Sequence, residues 1–146
     1  MSSRNMSSGK QAIRRNISDR QTLVMVFRIE NPYGSERKIS QSAIQVIELL
    51  GMYHAELARI LCQQCADIGQ LSAGTSCIQK NTEAWHRAVL FIDTYHLLYD
   101  LFNADSVAMY HWMRAHNKEL DGTPHFLIVD ENKLQLVHDY LAQKLI

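Results

Sequence analysis

Apolar residues recur at three- and four-residue steps through most of the chain after residue 39, which is the spacing of one face of an α-helix. The first such stretch covers residues 40–52, with Ser40 as its predicted N-cap. Two shorter stretches cover residues 55–61 and 65–71, and a tight turn is predicted between them. The buried face of the first helix is expected to contain Ala43, Ile44, Ile47, Leu50 and Gly51.

Four more helices are predicted in the second half of the chain. A long one is capped by Thr82 or Asn81 and runs to about residue 102. A second is capped by Asp105 or Ser106, a short apolar one follows Pro124, and the last begins at Asp130. The long helix is expected to bury Trp85, Ala88, Val89, Ile92, His96, Tyr99 and Phe102. The inner side of the next helix is expected to contain Val107, Ala108, Tyr110, His111, Trp112 and Met113. The core stripe of the last is expected to be Leu134, Val137, Leu141 and Leu145.

The N-terminal region has a different composition. Residues 1–20 are rich in Ser, Asn and Arg and lack apolar periodicity, which is typical of a mobile tail. Residues 22–29 are apolar and β-branched enough for a short strand, or for an arm that packs on another subunit. We therefore divide the chain into a tail and arm at 1–38, a helical segment at 39–80 and a second helical segment at 81–146.

The segment 112–124 is predicted to be an ordered corner between two helices. Asn117 and Gly122 can both take a positive φ, so either can turn the chain after a helix. Thr123 and Pro124 are an N-cap followed by a proline at the first helical position.

Several corner residues carry a likeness to a known family. They are Trp112, Asn117, Leu120, Gly122, Thr123 and Pro124. Their spacing resembles the signature W-x-x-x-x-N-x-x-L-x-G-x-T-P of the toxin-binding domain of Xre/MbcA/ParS-type antitoxins, with Thr123 following Gly122 directly. The likeness runs from about residue 83 to residue 146.

A second likeness lies in the preceding segment. Residues 50–61 read L-G-x-x-x-x-E-L-A-x-x-L, and Ile68, Leu71 and Gly74 continue as I-x-x-L-x-x-G. This spacing resembles the Xre/Cro helix-turn-helix. The resemblance implies that Ala58 allows close packing of the two helices and that Ile68 and Leu71 seat the second one. The fold class predicted from both likenesses is all-α, a helix-turn-helix bundle followed by a helical toxin-binding domain.

The helix that would read DNA departs from that motif. It carries no Arg or Lys, although these residues supply most phosphate and guanine contacts. The candidate DNA contacts are therefore Gln64 and Gln70, which can read adenine, together with Arg59, Arg14 and Arg15.

The corner residues allow two roles each. Trp112 is expected to anchor either the core or an interface. Arg114 is expected to be an exposed side chain, either solvated or clamping a carboxylate of a partner, so that Arg114→Glu changes folding by no more than about 0.5 kcal/mol. The candidate toxin-binding residues are Trp112, Arg114, Asn117, Gly122 and Pro124.

Composition narrows the classes of function. The 146 residues include 15 basic and 15 acidic side chains, so the formal net charge is zero and does not indicate binding to nucleic acid. No apolar run is long enough to span a membrane, and we expect a cytoplasmic protein. Three cysteines do not make a disulfide framework. The excess of apolar surface in residues 22–29 and 85–102 predicts a homodimer.

Neither a metal centre nor a catalytic site is predicted. Cys62 and Cys65 have the first spacing of a zinc site but no second close pair, and buried, unreactive cysteines are the expectation. The histidines near the corner, His111, His116 and His125, are expected at the surface or core edge. No phosphate loop or nucleophile elbow occurs, so we expect no enzyme activity and no cofactor.

The resemblance implies the antitoxin of a type II toxin–antitoxin pair. Its partner would be a RES-domain toxin that consumes NAD. The antitoxin would block this toxin by occluding its active site. The helix-turn-helix would repress the operon that encodes the pair. The alternatives are a DNA-binding regulator without a toxin, or an interaction module of the same family that neutralises nothing.

Overall fold

The computed structural model describes the backbone of residues 14–17 and 21–24 and the whole of residues 32–146. Helices dominate this part of the chain, which confirms the predicted all-α class. The elements within it are β1 (Arg14–Ile17), β2 (Gln21–Val24), α1 (Glu36–Leu49), α2 (His54–Leu61), α3 (Cys65–Ala73), α4 (Glu83–Leu101), α5 (Ser106–Arg114), α6 (Pro124–Val129) and α7 (Leu134–Lys144).

The two strands form an antiparallel pair, in which Arg14 lies opposite Val24 and Ile17 lies opposite Gln21. The sequence places β2 at the start of the predicted strand or arm, but it predicts no element where β1 lies. Residues 1–13, 18–20 and 25–31 hold the rest of the predicted tail and arm and lie outside the described residues.

Helix α1 begins five residues earlier than predicted. Its N-cap is Ser35, whose hydroxyl accepts a hydrogen bond from the Lys38 N–H at 3.2 Å. Ser40, the predicted cap, lies inside the helix and is buried. Its hydroxyl donates to the Glu36 carbonyl and accepts the Ile78 N–H, both at 2.8 Å, so it ties α1 to the loop before α4.

Replacing Ser40 by Ala is expected to destabilise the fold by about 1–3 kcal/mol, because the buried Ile78 N–H then loses its acceptor. Urea unfolding of the two proteins measures the change. Ser72→Ala, on the exposed side of α3, is the matched control and should cost less than about 0.5 kcal/mol. Equal stability of Ser40→Ala and the parent would show that this bond contributes nothing.

Helices α2 and α3 form the predicted pair with a tight turn. The turn begins at Cys62, which has a φ of 58° and caps α2 in the left-handed region. Gln64 then caps α3, and the Asp67 carboxylate accepts the Gln64 N–H at 3.0 Å. Ala58, Ile68 and Leu71 are buried as the resemblance implies.

A single core joins the two helical segments of residues 39–80 and 81–146. Helix α4 packs against α1, α2 and α7. Its buried residues are Ala84, Trp85, Ala88, Phe91, Ile92, Thr94, Tyr95 and Leu98, a face that overlaps the predicted one only in part. One apolar cluster includes Ile39, Leu57, Phe91, Met113 and Leu141, from five different helices.

Two predicted faces are wrong. Helix α5 buries Met109 and Met113, whereas Val107, Tyr110 and His111 are exposed. This helix is apolar on several sides, so periodicity alone could not orient it. Leu134, Val137 and Leu141 are buried as predicted, but Leu145 is exposed.

The last helix starts at Leu134 rather than at Asp130. Asp130 caps the end of α6, with its N–H bonded to the Phe126 carbonyl at 2.8 Å. Asn132 has a φ of 56°, and the Lys133 N–H donates to the Leu127 carbonyl. These bonds close a turn between α6 and α7.

Candidate functional site

The corner between α5 and α6 is closed by its own backbone. The Asn117 N–H donates to the Gly122 carbonyl at 2.9 Å, and the Gly122 N–H donates back at 3.2 Å. The Asn117 side chain also accepts the Leu120 N–H at 3.0 Å. The positive φ needed for this turn, 56°, falls on Asp121, and the expectation that Asn117 or Gly122 supplies it is wrong.

Gly122 is needed for its size. A Cβ at this position would lie 3.0 to 3.3 Å from three atoms of the Leu127 side chain. The glycine therefore lets α6 pack directly beneath the turn. Pro124 occupies the first position of α6, as predicted, and is buried. Thr123 caps this helix.

Trp112 lies between the corner and the last helix. Its ring stacks on Tyr140 with a centroid distance of 6.3 Å and an interplanar angle of 21°, and it contacts Phe102 at 6.4 Å. Trp112 is only partly buried, packed against the core cluster. These contacts agree with the core role among the two roles predicted for it.

A cluster of hydrogen-bonded polar side chains connects the corner to α7. The Asn117 amide donates to the Tyr140 hydroxyl at 3.4 Å, and this hydroxyl donates to the Glu119 carboxylate at 2.5 Å. The Lys144 ammonium lies 3.0 Å from the same carboxylate. The hydrogen bonds from Tyr140 and Lys144 lower the pKa of Glu119 below its usual range. The corner is thus a rigid element held at both ends.

Arg114 is not the free side chain that the sequence suggests. Its guanidinium donates to the carbonyls of Leu50 and Gly51, both at 3.1 Å, and lies 3.8 Å from the centre of the Tyr110 ring. Gly51 has a φ of 70°, so the chain turns here directly after α1. Arg114 therefore closes the C-terminal end of α1 with a positive charge, a favourable place for a cation.

Two further contacts join α2 to α6. The His125 Nε2 lies 2.5 Å from the Glu56 carboxylate, and both side chains are largely buried. Burial alone would raise the pKa of Glu56, but hydrogen bonds from the Tyr53 N–H and His125, with the nearby Arg59 charge, lower it overall. Arg59 forms an ion pair with Asp130.

The candidate DNA contacts are only partly free for that role. Gln64 and Gln70 are exposed on α3, as predicted. Arg59 is exposed too, but its guanidinium is engaged by Asp130. The side chains of Arg14 and Arg15 lie outside the described residues.

The cysteine prediction is wrong in part, because Cys62 and Cys65 are exposed and Cys77 is half-buried. Across residues 32–146, no group of three or more His, Cys, Asp or Glu side chains is arranged to hold a metal ion. His111 and His116 are exposed, and His125 lies against Glu56. In that same part of the chain, no helix has the length and apolar content needed to cross a membrane.

His138 joins α7 to α4. Its Nε2 lies 2.6 Å from the Asp93 carboxylate, and its Nδ1 lies 3.0 Å from that of Asp139. Burial would lower the pKa of His138, but the hydrogen bonds to Asp139 and Asp93 raise it above its ordinary 6.5. The protonated ring can donate to both carboxylates at once.

This raised pKa predicts a stability that falls in alkaline solution. The contribution of His138 is fully present below its unfolded pKa and is lost as pH rises through its higher folded pKa. Urea unfolding should show that the parent protein is more stable at about pH 5.5 than at about pH 9. This difference in the free energy of unfolding should be smaller in His138→Gln. His116→Gln, at an exposed histidine, is the control. An unchanged difference in His138→Gln would contradict the assignment.

One comparison with known proteins bears on the second half of the chain. Residues 97–143 match the family model described as the antitoxin Xre/MbcA/ParS C-terminal toxin-binding domain. This segment is therefore similar to an Xre/MbcA/ParS toxin-binding domain. The match covers less than half of the chain, and it confirms the resemblance read from the corner residues. No curated protein matches the chain.

All five candidate toxin-binding residues lie inside the toxin-binding domain. The structure brings them to one corner and gives each of them a structural contact: Trp112 to Tyr140, Arg114 to α1, Asn117 to Tyr140 and the Leu120 N–H, Gly122 to Leu127 and Pro124 to the core. The exposed aromatic residues of the domain are instead Tyr110 and Phe126. The sequence missed them because their apolar character indicated burial.

Proposed function

We propose that the protein is the antitoxin of a type II toxin–antitoxin pair and neutralises a RES-type, NAD-consuming toxin. The family match of residues 97–143 carries the proposal, because that domain is a toxin-binding domain. The choice of a RES toxin rests on the resemblance to Xre-type antitoxins. Neutralisation is by occlusion: the domain covers the entrance to the toxin's active site, and this chain performs no chemistry and needs no cofactor.

The fold supports this mechanism. The α5–α6 corner is fixed by its Asn117–Gly122 backbone bonds and by Tyr140, so the domain offers a surface that is already ordered before binding. A preordered surface loses less conformational entropy on association. An occluding protein needs such a surface more than it needs reactive groups.

The test is co-expression in bacteria with the RES-domain toxin gene that the proposal places next to the gene for this chain. Induction of the toxin alone should arrest growth and deplete NAD. Co-induction of this chain should restore both. Persistent arrest, with both proteins present in soluble form, would contradict the proposed function.

We further propose that the protein acts in the cytoplasm as a homodimer and represses its own operon. The helix–turn–helix arrangement of α2 and α3 and the exposed Gln64 and Gln70 support this role. Gln70→Ala is expected to relax specificity by about 1–3 kcal/mol at one base pair of the operator. Fluorescence anisotropy with operator variants measures it. Specific binding that is unaffected by both Gln64→Ala and Gln70→Ala would assign the reading to another element.

A further inference from the structure

Four exposed apolar side chains lie at the N-cap of α2 and on α5 and α6, and α6 packs against both of the other helices. We call them the aromatic face: Tyr53, Val107, Tyr110 and Phe126, which are 76%, 50%, 48% and 56% exposed. Three large hydrophobic residues elsewhere in the described part are also exposed, and all three belong to α7 or the C-terminal end. Exposed apolar groups gathered in this way mark an interaction surface.

Contacts between neighbouring residues connect the elements that carry these side chains. Tyr110 lies 3.5 Å from where a Cβ of Gly51 would be, beside the turn that leads to Tyr53. Val107 is one turn before Tyr110 on the same side of α5. On the other side, Glu56 accepts the Tyr53 N–H and contacts His125, whose ring meets Phe126 edge-on at 5.9 Å.

Two of the rings contact side chains that are themselves fixed. The Arg114 guanidinium stacks on Tyr110 and is bound to the carbonyls of Leu50 and Gly51. The His125 ring lies edge-on to Phe126 and is bound to Glu56. Preordered aromatic rings with few rotamers to freeze are the residues that dominate binding energy at protein interfaces.

We infer that the aromatic face is the surface that seats the toxin. Val107, Tyr110 and Phe126 all lie within the matched toxin-binding domain, whereas the residues of the corner are engaged within the chain. The partner surface that fits is apolar, with hydrogen-bonding groups at its edge for the two tyrosine hydroxyls. Tyr53 comes from the helix-turn-helix segment, so that segment also contributes to toxin binding. The inference rests on the proposed function.

The test compares the full-length protein with Tyr53→Ser/Phe126→Ser by calorimetric titration into the purified RES-domain protein encoded beside its gene. We expect the double variant to bind at least about a hundredfold more weakly, from the loss of two interface anchors. Leu136→Ser, at an exposed apolar residue of α7, is the matched control and should bind as the parent does.

The melting temperature of each variant shows whether it is folded. If the double variant unfolds more readily, Tyr53→Ser alone, at the most exposed position of the face, is used and should weaken binding by about tenfold or more. Unchanged toxin binding by a folded variant overturns the inference and leaves the proposed function standing. If the parent is a dimer and the free variant is a monomer with unchanged toxin affinity, the aromatic face is a dimer interface. That result would also overturn the inference. Failure of the parent protein to bind the toxin would instead reject the proposed function.

Discussion

Arg114→Glu is expected to destabilise the fold by about 2–4 kcal/mol. The substitution removes charge-assisted hydrogen bonds to the carbonyls of Leu50 and Gly51, and one such bond has a net contribution of about 1.5–3 kcal/mol. It also places a carboxylate beside the negative end of α1, which is unfavourable for an anion. This expectation replaces the small effect predicted from the sequence, where Arg114 was treated as exposed.

Urea unfolding measures this loss. Lys118→Glu makes the same charge change at an exposed residue of the corner and should shift stability by less than about 0.5 kcal/mol. Arg114→Lys retains the charge but not the planar fork, so it should fall between the parent and Arg114→Glu. A loss below about 0.5 kcal/mol for Arg114→Glu would mean that the guanidinium does not hold α1 in solution.

Trp112→Ala should cost about 3 kcal/mol, at the lower end of the range for large aromatic deletions because the ring is only partly buried. The variant loses the stacking of the indole on Tyr140 and its contact with Phe102. Since Tyr140 also binds Asn117 and Glu119, the corner should loosen at the same time.

Hydrogen exchange at the Asn117 and Gly122 amides reports that loosening, and urea unfolding reports the stability. Trp112→Phe, which keeps a ring against Tyr140, should recover more than half of the loss. Normal stability together with lost toxin binding in Trp112→Ala would assign Trp112 to the interface instead of the core.

Local signals in the sequence were sufficient for several elements. Thr82 caps α4 through its hydroxyl, and the Asp105 carboxylate accepts two N–H groups at the start of α5. The α2–α3 turn was predicted because its spacing repeats a known pattern. In each case the residues that decide the structure lie within a few positions of one another.

The errors arise where a distant residue decides the outcome. Ser40 has the chemistry of a cap, but Ser35 caps α1 and the hydroxyl of Ser40 instead accepts the N–H of Ile78, which lies in another part of the chain. Asp130 likewise has the chemistry of a cap for α7, yet it ends α6 and pairs with Arg59. The partners of Arg114, in the turn after α1, are separated from it by more than sixty positions. Periodicity carries no information about such contacts.

The surface that we infer to face the toxin was only partly predictable for the same reason. The signature residues of the corner were found correctly as those of a toxin-binding domain. Their side chains, however, build the corner, as the Gly122–Leu127 approach and the Trp112–Tyr140 stack illustrate. Tyr110 and Phe126 have the composition of core residues, and only the packing of α5 and α6 shows that they are exposed.

The most direct test of occlusion is an enzymatic titration. Purified protein is added to the RES-domain toxin that we propose as its partner, while NAD consumption and complex formation are measured in the same samples. If the proposed occlusion is right, NAD consumption falls in proportion to the toxin bound and reaches zero when all of it is in the complex. A complex that forms fully while the bound toxin still consumes NAD at its free rate would contradict the account.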